Sequence, residues 1–395
     1  MKLQPIAAAV LALSALTAAS LPAHAQSAAP AAAAAAAVDH KAVAAHYAAL
    51  VHANYADTLA AAKDLQAAIA EFTKAPSAEG LDKARKAWLD AREFYGQTEA
   101  FRFYGGPIDD DNGPEGQINA WPLDEAYVDY VTGKPKAGMV NNAKFKITKA
   151  ALAKANERGG EENISAGWHA IEFLLWGQDQ SETGPGNRSF EDYVVGKGQN
   201  AERRAQYLTT ATQLLVDDLG DMVAAWEPGK KNYRAKFEKG GKESVRKIIV
   251  GLGSLSRGEL SGERMEVALN SQDQEDEHSC FSDNTHRDVV TNAKGIQNVW
   301  TGEYTRRDGS VLKGPGVRDL VAAKNPALAE KTTAQIADSV KGAEAIPAPF
   351  DRAIVKGSAG RPAIETTIAS LVEQSKLLVQ SAGAVGIAKL TLVEP

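Results

Sequence analysis

The sequence predicts an all-α fold made of two helical bundles, and three observations carry that prediction. Apolar residues recur at spacings of three and four in long stretches beyond residue 38, as amphipathic helices require. Alternating runs of β-branched and aromatic residues, which would indicate strands, are nearly absent. A stretch rich in glycine and lysine, Pro228 to Lys242, falls near the middle of the chain, where a join between two bundles is expected.

The N-terminus has the pattern of a cleavable export signal. Lys2 supplies the positive charge, an apolar stretch runs from Ile6 to Leu21, and small residues before position 26 suit a cleavage site. The signal is therefore expected to cover residues 1–25. A transmembrane helix is the alternative, which the short, alanine-rich stretch disfavours. We expect a periplasmic or secreted protein that has no transmembrane segment after cleavage. It is not expected to be a lipoprotein, because no cysteine stands at the cleavage site to accept a lipid.

Beyond the signal, residues 26–38 are almost entirely alanine with serine and proline, and are expected to form a disordered leader. An N-terminal bundle is predicted over residues 39–240 and a C-terminal bundle over 241–395. The predicted helices within them cover residues 38–72, 84–103, 145–157, 164–176, 201–226, 242–253, 263–270, 281–299, 326–341 and 362–382. The strand candidates are short and lie at Thr301–Tyr304 and Lys389–Val393.

Composition restricts the function. The net charge is −6 and the basic residues are scattered along the sequence, which argues against a nucleic-acid partner. The only cysteine is Cys280, so an intrachain disulfide is impossible. The sequence contains no His-Glu-x-x-His, Gly-x-Ser-x-Gly, Walker or dinucleotide-binding motif, and the common enzyme classes are disfavoured accordingly.

The first candidate site is the apolar, helix-length stretch from Gly167 to Gly177, in which His169 and Glu172 are the only ionisable residues. At a spacing of three, the two side chains project from one face of a helix, where an imidazole nitrogen and a carboxylate oxygen can meet one cation or one substrate. The alternative is a buried histidine that bonds its helical neighbour for structural reasons. Residues elsewhere must decide between these interpretations.

The second candidate site is the segment Glu275–Asp288, which concentrates carboxylates, imidazoles, hydroxyls and the only thiol. If this segment is helical, His278, Ser282 and His286 lie on one stripe, with Asp283 beside His286. It would then offer a second histidine–carboxylate pair. The alternative is a charged, solvated helix start with a serine cap.

Two further polar elements are candidates for a ligand cleft. Glu99 and Arg102 stand among aromatic residues, and either pair with one another at a spacing of three or face a pocket. The stretch Asn119–Asp124 is typical of a loop that closes onto a helix. Asp124 would be an acid in the first turn of that helix, either near the cleft or as a structural cap.

On these residues the chain resembles the imelysin-like family, and more narrowly its iron-regulated protein A branch. The Gly-x-His-x-x-Glu motif of the family matches Gly167, His169 and Glu172. The narrower branch is indicated by four segments in order: Asn119–Asp124, Gly258–Met265, Glu275–Asp288 and Ile346–Asp351. The resemblance runs over nearly the whole chain after the signal.

The resemblance implies two helical bundles with a pseudo-twofold relation and a site in the cleft between them, which carries the His-x-x-Glu pair. It also implies a role in bacterial iron acquisition at the cell envelope. The family takes its name from a reported peptidase activity that most members are not known to share.

We therefore expect this protein to bind iron or an iron-containing ligand through histidine and carboxylate side chains, with zinc or another divalent metal as the alternative ion. The candidate metal ligands are His169, Glu172, His286, Asp283, His278 and Glu99. The candidate cleft residues are Arg102, Trp168 and Asp124. Envelope iron-transport proteins are candidate partners.

Two other functions stay open. The first is a metallopeptidase in which Glu172 or Glu99 acts as general base on water activated by the metal. The absence of a second histidine on the same helix argues against a familiar zinc protease. The other is an envelope module that binds a haem, siderophore, peptide or protein without a metal.

Overall fold

The computed structural model describes residues 38–181 and 183–393 of the chain. The predicted signal and all of the predicted leader except Val38 lie outside these residues, so export stays a prediction. None of the helices in the described residues has the length and apolar character that crossing a membrane requires.

Helices account for most of the described chain, and the predicted all-α class is confirmed. In chain order they are α1 (His40–Lys74), α2 (Ala78–Thr98), α3 (Glu115–Ile118), α4 (Glu125–Val128), α5 (Gly138–Asn141), α6 (Lys149–Ala155), α7 (Gly167–Trp176), α8 (Ala201–Ala225), α9 (Tyr233–Phe237), α10 (Lys242–Ser254), α11 (Val267–Ser271), α12 (Thr285–Thr301), α13 (Val317–Ala322), α14 (Pro326–Glu344), α15 (Phe350–Ile354) and α16 (Arg361–Ala384). Every long helix overlaps a predicted stretch, because each one buries an apolar stripe of helical period, although α2 begins six residues before its predicted start and α12 four residues after.

Helix α1 shows how the sequence specifies these elements. Asp39 caps its start, since the side chain accepts a hydrogen bond of 2.8 Å from the amide of Ala42. Its buried residues include Val43, Tyr47 and Leu50, which repeat at spacings of three and four. This stripe packs against α2 and α8 and forms the centre of the first half of the molecule.

The two halves of the chain share helix contacts within one compact unit that begins at Val38. Helix α12 packs on α2 as well as on α14, and α10 packs on both α1 and α16. The stretch Pro228 to Lys242 contains α9, whose Phe237 stacks on Tyr47 at a centroid distance of 5.3 Å. The division into bundles at residue 240 and the pseudo-twofold relation stay predictions.

One of the two strand candidates is correct in position. β1 (Glu303–Thr305) pairs antiparallel with β2 (Val311–Lys313), and Tyr304 lies opposite Leu312. The candidate at residues 389–393 is wrong, because this segment is irregular. Its Val393 amide donates to the Ser254 hydroxyl at 3.0 Å, instead of joining a strand.

A buried ion cluster fixes the region between α4 and α8. The carboxylate of Asp129 accepts hydrogen bonds from Arg204 at 2.6 and 3.0 Å and from Arg188 at 3.0 Å. All three side chains are at most 2% exposed. Although burial opposes it, the two guanidinium groups lower the pKa of Asp129, and the carboxylate stays ionised.

Two irregular segments shape the site. A π-helical segment, Leu255–Glu266, continues α10 and brings Arg264 into contact with both Glu99 and Glu259. The helix on which the stripe of His278, Ser282 and His286 depended does not form in its first part, because residues 277–284 form turns and α12 begins only at Thr285 instead of the predicted 281. Asp283 has a φ of 56° there, a left-handed conformation that reverses the chain.

Candidate functional site

The first half of the site is on α7. Gly167 opens this helix with a φ of 81°, and a Cβ there would lie 2.4 Å from the carbonyl oxygen of Ile118, so only glycine fits. Two residues later, His169 Nδ1 lies 2.8 Å from Glu172 Oε2. The other oxygen of Glu172 accepts from the amide and the hydroxyl of Ser282, at 3.0 and 2.6 Å. Both oxygens of Glu172 are therefore occupied by protein groups.

The second half of the site is on the turn before α12 and on α12 itself. His278 Nδ1 lies 2.8 Å from Asp288 Oδ2, and the Ser279 hydroxyl donates to the same oxygen at 2.5 Å. The other oxygen of Asp288 accepts from Arg92 at 2.9 Å. This is a histidine–carboxylate pair of the same kind as that of His169 and Glu172.

The imidazole rings of His169 and His278 are in edge-to-face contact. Their centroids are 4.7 Å apart and their planes cross at 73°. Nε2 of His169 has no hydrogen-bond partner among the described residues, and Nε2 of His278 is 3.5 Å from the amide nitrogen of Asn119. Both residues are 2% exposed, and Trp121 covers His278 edge-on at a centroid distance of 5.1 Å.

A third carboxylate, Glu99, completes the polar cluster. It accepts from Arg102 at 2.6 Å and from Arg264 at 2.8 Å, and Asn119 links it to His278 through a long contact of 3.4 Å. Although burial opposes it, Arg102 and Arg264 lower the pKa of Glu99 to about 2. Glu99 is therefore an ionised carboxylate held by two guanidinium groups.

An aromatic cage surrounds the guanidinium group of Arg92. The rings of Trp88, Tyr95 and Trp168 lie 5.2 to 5.7 Å from it. Trp168, a predicted cleft residue, is thus fully buried beside the second histidine–carboxylate pair. These cation–π contacts fix the donor that orients Asp288.

Burial sets the protonation of the site. It lowers the pKa of His169 well below the ordinary value, and Arg92 adds to the effect. It lowers the pKa of His278 in the same way, assisted by Arg264. Burial also raises the pKa of Glu172 to about 8. Both imidazoles are neutral at pH 7, and the proton of the first pair resides with Glu172.

The structure separates the remaining predicted residues from the imidazole pair. His286 Nδ1 contacts the backbone oxygen of Asp283 at 3.1 Å, and neither side chain is bonded to His169 or Glu172. Asp124 is exposed and caps α4 through the Ala126 amide at 2.9 Å. The stripe of His278, Ser282 and His286 is wrong because its first two members are in turns.

Sequence reasoning missed Asp288, Arg92 and Arg264 as functional residues. Asp288 lies in the segment Glu275–Asp288, which is one of the two candidate sites. A continuous helix through that segment would have made Asp283, and not Asp288, the carboxylate partner of a histidine. Arg92 and Arg264 carry no local signal, since their burial becomes apparent only when distant segments meet. The predicted pairing of Glu99 with Arg102 is present.

Once Glu172 has ionised, two neutral imidazoles, each bonded through Nδ1 to a carboxylate, can present Nε2 lone pairs to a cation. Within residues 38–181 and 183–393, no group of three or more histidine, cysteine, aspartate or glutamate side chains is arranged to hold a metal ion. Further ligands would therefore have to come from rearrangement or from solvent. The fold and site define the class: an all-α protein with a buried centre of paired histidines and carboxylates.

This chain belongs to the imelysin family, whose model, Peptidase_M75, matches residues 51–378. The resemblance inferred from the motifs is confirmed. The chain is 27% identical over 299 residues to iron-regulated protein A of Synechococcus elongatus, and the match covers 75% of this chain and 73% of the relative.

Two solved structures share the fold. The first is a putative iron-regulated protein A precursor from Parabacteroides distasonis, with a TM-score of 0.66 and 18% identity, covering 88% of this chain and 94% of the other. The second is an imelysin-like protein from Psychrobacter arcticum, with a TM-score of 0.63 and 16% identity, covering 88% and 96%. At these identities the likeness concerns the fold alone.

Proposed function

We propose that this protein binds iron, as a divalent ion, through Nε2 of His169 and Nε2 of His278. The observation that carries the proposal is the unpartnered Nε2 of His169, which is buried against the ring of His278. A buried polar atom without a partner costs free energy, and a bound cation would remove that cost. Imidazole also suits zinc and other divalent metals, whereas iron is favoured here by the name of the relative from Synechococcus elongatus.

In this proposal the carboxylates of Glu172 and Asp288 orient the histidines and do not bind the ion. Each would accept a hydrogen bond at the Nδ1 side of its histidine once Glu172 has released its proton, and each is held by further donors, Ser282 or Arg92. Such carboxylate partners fix the tautomer and raise the basicity of the ligand nitrogen. Glu172, expected from the sequence to be a ligand, thus becomes a positioning residue.

The test is a titration of the chelator-stripped full chain with Fe²⁺ under anaerobic conditions and with Zn²⁺. We expect one ion per chain, with binding lost in His169→Gln and in His278→Gln. His286→Gln is the matched control, because His286 lies outside the imidazole pair. Loss of binding in the control alone, or no binding by the unaltered chain, would reject the proposal.

A peptidase function is less well supported. The side chains of His169, His278 and Glu172 are at most 2% exposed, so a peptide bond would have to enter a closed interior. A metal ion is small enough to require much less opening. Hydrolysis of a protein substrate that is lost in His169→Gln would favour the peptidase.

Metal affinity is expected to rise with pH. Burial raises the pKa of Glu172 to about 8, so below that pH Glu172 is protonated and Nε2 of His169 carries the ring proton. Before a cation can bind at Nε2, the pair of His169 and Glu172 has to release one proton. Binding releases this proton, and affinity should increase about tenfold per pH unit up to pH 8 and then level off. Competition with a chromophoric chelator between about pH 6 and pH 9 measures this.

Ser282→Ala provides the control for the assignment to Glu172. The hydrogen bond from the Ser282 hydroxyl lowers the pKa of Glu172, so its loss should move the plateau of affinity to higher pH, although the amide of residue 282 still donates to Glu172. An affinity that does not vary between pH 6 and pH 8 in the unaltered chain would contradict the proton release.

A further inference from the structure

Asn119 contacts both the imidazole pair and the third carboxylate of the site. It directly follows α3 and is 1% exposed. Its Oδ1 accepts a hydrogen bond of 2.7 Å from Arg92, and because a guanidinium group can only donate, the other end of the side chain is the amide nitrogen. That nitrogen lies 3.5 Å from Nε2 of His278 and 3.4 Å from Oε1 of Glu99. The donor end of the amide therefore faces a proposed ligand atom.

The three polar atoms that meet here, Nδ2 of Asn119, Oε1 of Glu99 and Nε2 of His278, are weakly bonded. Both contacts of the amide nitrogen exceed the usual range of about 2.7–3.2 Å. Among the described residues, the contact with Asn119 is the only hydrogen bond of Oε1 of Glu99, since Arg102 and Arg264 both donate to Oε2. The same holds for Nε2 of His278 among these residues. Each of the three buried atoms thus has spare hydrogen-bonding capacity.

The imidazole pair alone does not complete the coordination of a divalent ion. Within residues 38–181 and 183–393, no third histidine, cysteine, aspartate or glutamate joins the pair to hold a metal. A further ligand therefore comes from solvent. Both rings are 2% exposed and Trp121 lies edge-on to His278, so this ligand has to be small.

A water molecule bound to the ion suits the three weakly bonded atoms. A cation polarises its water, which then donates strongly, and Glu99 is an ionised acceptor within reach of the same amide. The water oxygen can in turn accept from the amide of Asn119. A small oxyanion could also accept from Asn119, but its charge would face that of Glu99 in a buried region, where like charges repel strongly. The charge of Glu99 therefore favours water over an oxyanion.

We propose that Asn119 and Glu99 hold a water molecule as a ligand of the ion that His169 and His278 bind. The amide of Asn119 donates to the water, and the water donates to Glu99. This inference rests on the proposed function and adds a ligand that comes from solvent. Asn119 and Glu99 are then positioning residues, and Glu99, expected from the sequence to bind the metal itself, acts through the water.

The first test removes the amide without opening a cavity. In Asn119→Leu two methyl groups of similar size replace the polar atoms, so the water loses its donor. We expect Fe²⁺ and Zn²⁺ to bind the chelator-stripped full chain about tenfold more weakly, as is usual when an outer partner of a metal site is lost.

Asn292→Leu is the matched control for this variant. Asn292 is likewise buried and accepts from an arginine, Arg264, at 2.6 Å, but its amide donates to the backbone oxygen of Gly96 and not to the imidazole pair. Its loss should therefore change the metal affinity by less than about twofold.

The second test detects the water directly. The full chain is loaded with Cu²⁺, which nitrogen and oxygen sites bind more tightly than the other divalent ions of the first transition row, in ¹⁷O-enriched water free of bicarbonate. Electron-nuclear double resonance should show an ¹⁷O coupling from bound water together with ¹⁴N couplings from imidazole. The ¹⁷O coupling should persist in Asn292→Leu and disappear in Asn119→Leu.

Glu99→Gln tests the acceptor of the water, and does so even if Asn119→Leu does not fold. The glutamine oxygen is expected to stay with Arg102 and Arg264, which leaves an amide nitrogen that cannot accept from the water. Binding of Fe²⁺ and Zn²⁺ should again weaken by about tenfold. Thermal unfolding of the stripped variant checks that the fold is retained.

Four results would overturn the water ligand. A bound ion without an ¹⁷O coupling, or equal losses of affinity in Asn119→Leu and Asn292→Leu, would remove it and leave the proposed function intact. A gain in affinity on adding bicarbonate, with a ¹³C coupling from the labelled anion, would assign the position to an oxyanion instead. No Fe²⁺ or Zn²⁺ bound by the unaltered chain would reject the proposed function itself, and the water ligand with it.

Discussion

Glu172→Gln is expected to weaken metal binding about 100-fold while the fold is retained. Metal binding requires Glu172 to lose its proton, after which the carboxylate accepts from Nδ1 of His169 and leaves a lone pair on Nε2. A glutamine amide would instead donate to Nδ1 and drive the proton onto Nε2, where it blocks the cation. Loss of a carboxylate partner alone costs about 10- to 100-fold in affinity, and the wrong tautomer should take the loss to the upper end.

The measurement is Fe²⁺ and Zn²⁺ affinity beside thermal unfolding of the stripped protein. Glu125→Gln is the matched control. Glu125 likewise has a pKa raised by burial, but it is only partly buried and accepts from Gln178, outside the imidazole network. If Glu172→Gln binds metal like the control variant, the tautomer does not govern the site, and the assignment of Nε2 as the ligand atom fails.

Asp129→Asn is expected to lower the free energy of unfolding by about 3–5 kcal/mol. This carboxylate is shared by Arg188 and Arg204, both buried, so its loss leaves two positive charges with fewer partners in a medium of low dielectric constant. Asparagine keeps the shape of the side chain, so the effect isolates the charge. Urea unfolding followed by circular dichroism measures it.

The control for this prediction is Asp217→Asn. Asp217 pairs with Lys149 at the surface, where both side chains are about half exposed. A solvent-exposed pair contributes about 0–1 kcal/mol, so the control should unfold close to the unaltered protein. Similar losses in both variants would mean that the buried cluster contributes no more than an ordinary surface pair.

The spacing of residues along the chain was sufficient to predict the long helices and the pair of His169 and Glu172 on α7. Helical period located the long helices because each buries one apolar stripe, and the spacing of His169 and Glu172 placed two polar groups on one face. The pairing of His278 could not be predicted in the same way. A helical period joined it to His286, whereas the backbone reversal at Asp283 brings it to Asp288.

The buried arginines that hold the carboxylates of the site could not be predicted from the sequence, for a different reason. Arg92 and Arg264 look like ordinary surface residues of amphipathic helices, and the first lies almost two hundred residues from its carboxylate partner on α12. Nothing in the neighbourhood of either residue indicates the contact. Only the packing of α12 on α2 places a carboxylate where Arg92 is buried.

The bonds from Ser282 to Glu172 span 110 residues of chain and join α7 to the turn before α12. Closing so long a loop carries an entropic cost that a partly folded chain has not yet met. The imidazole pair therefore exists only when both segments are in place, and a truncated or half-folded chain would carry His169 without its counterpart. Metal capture would then report that the whole molecule has assembled.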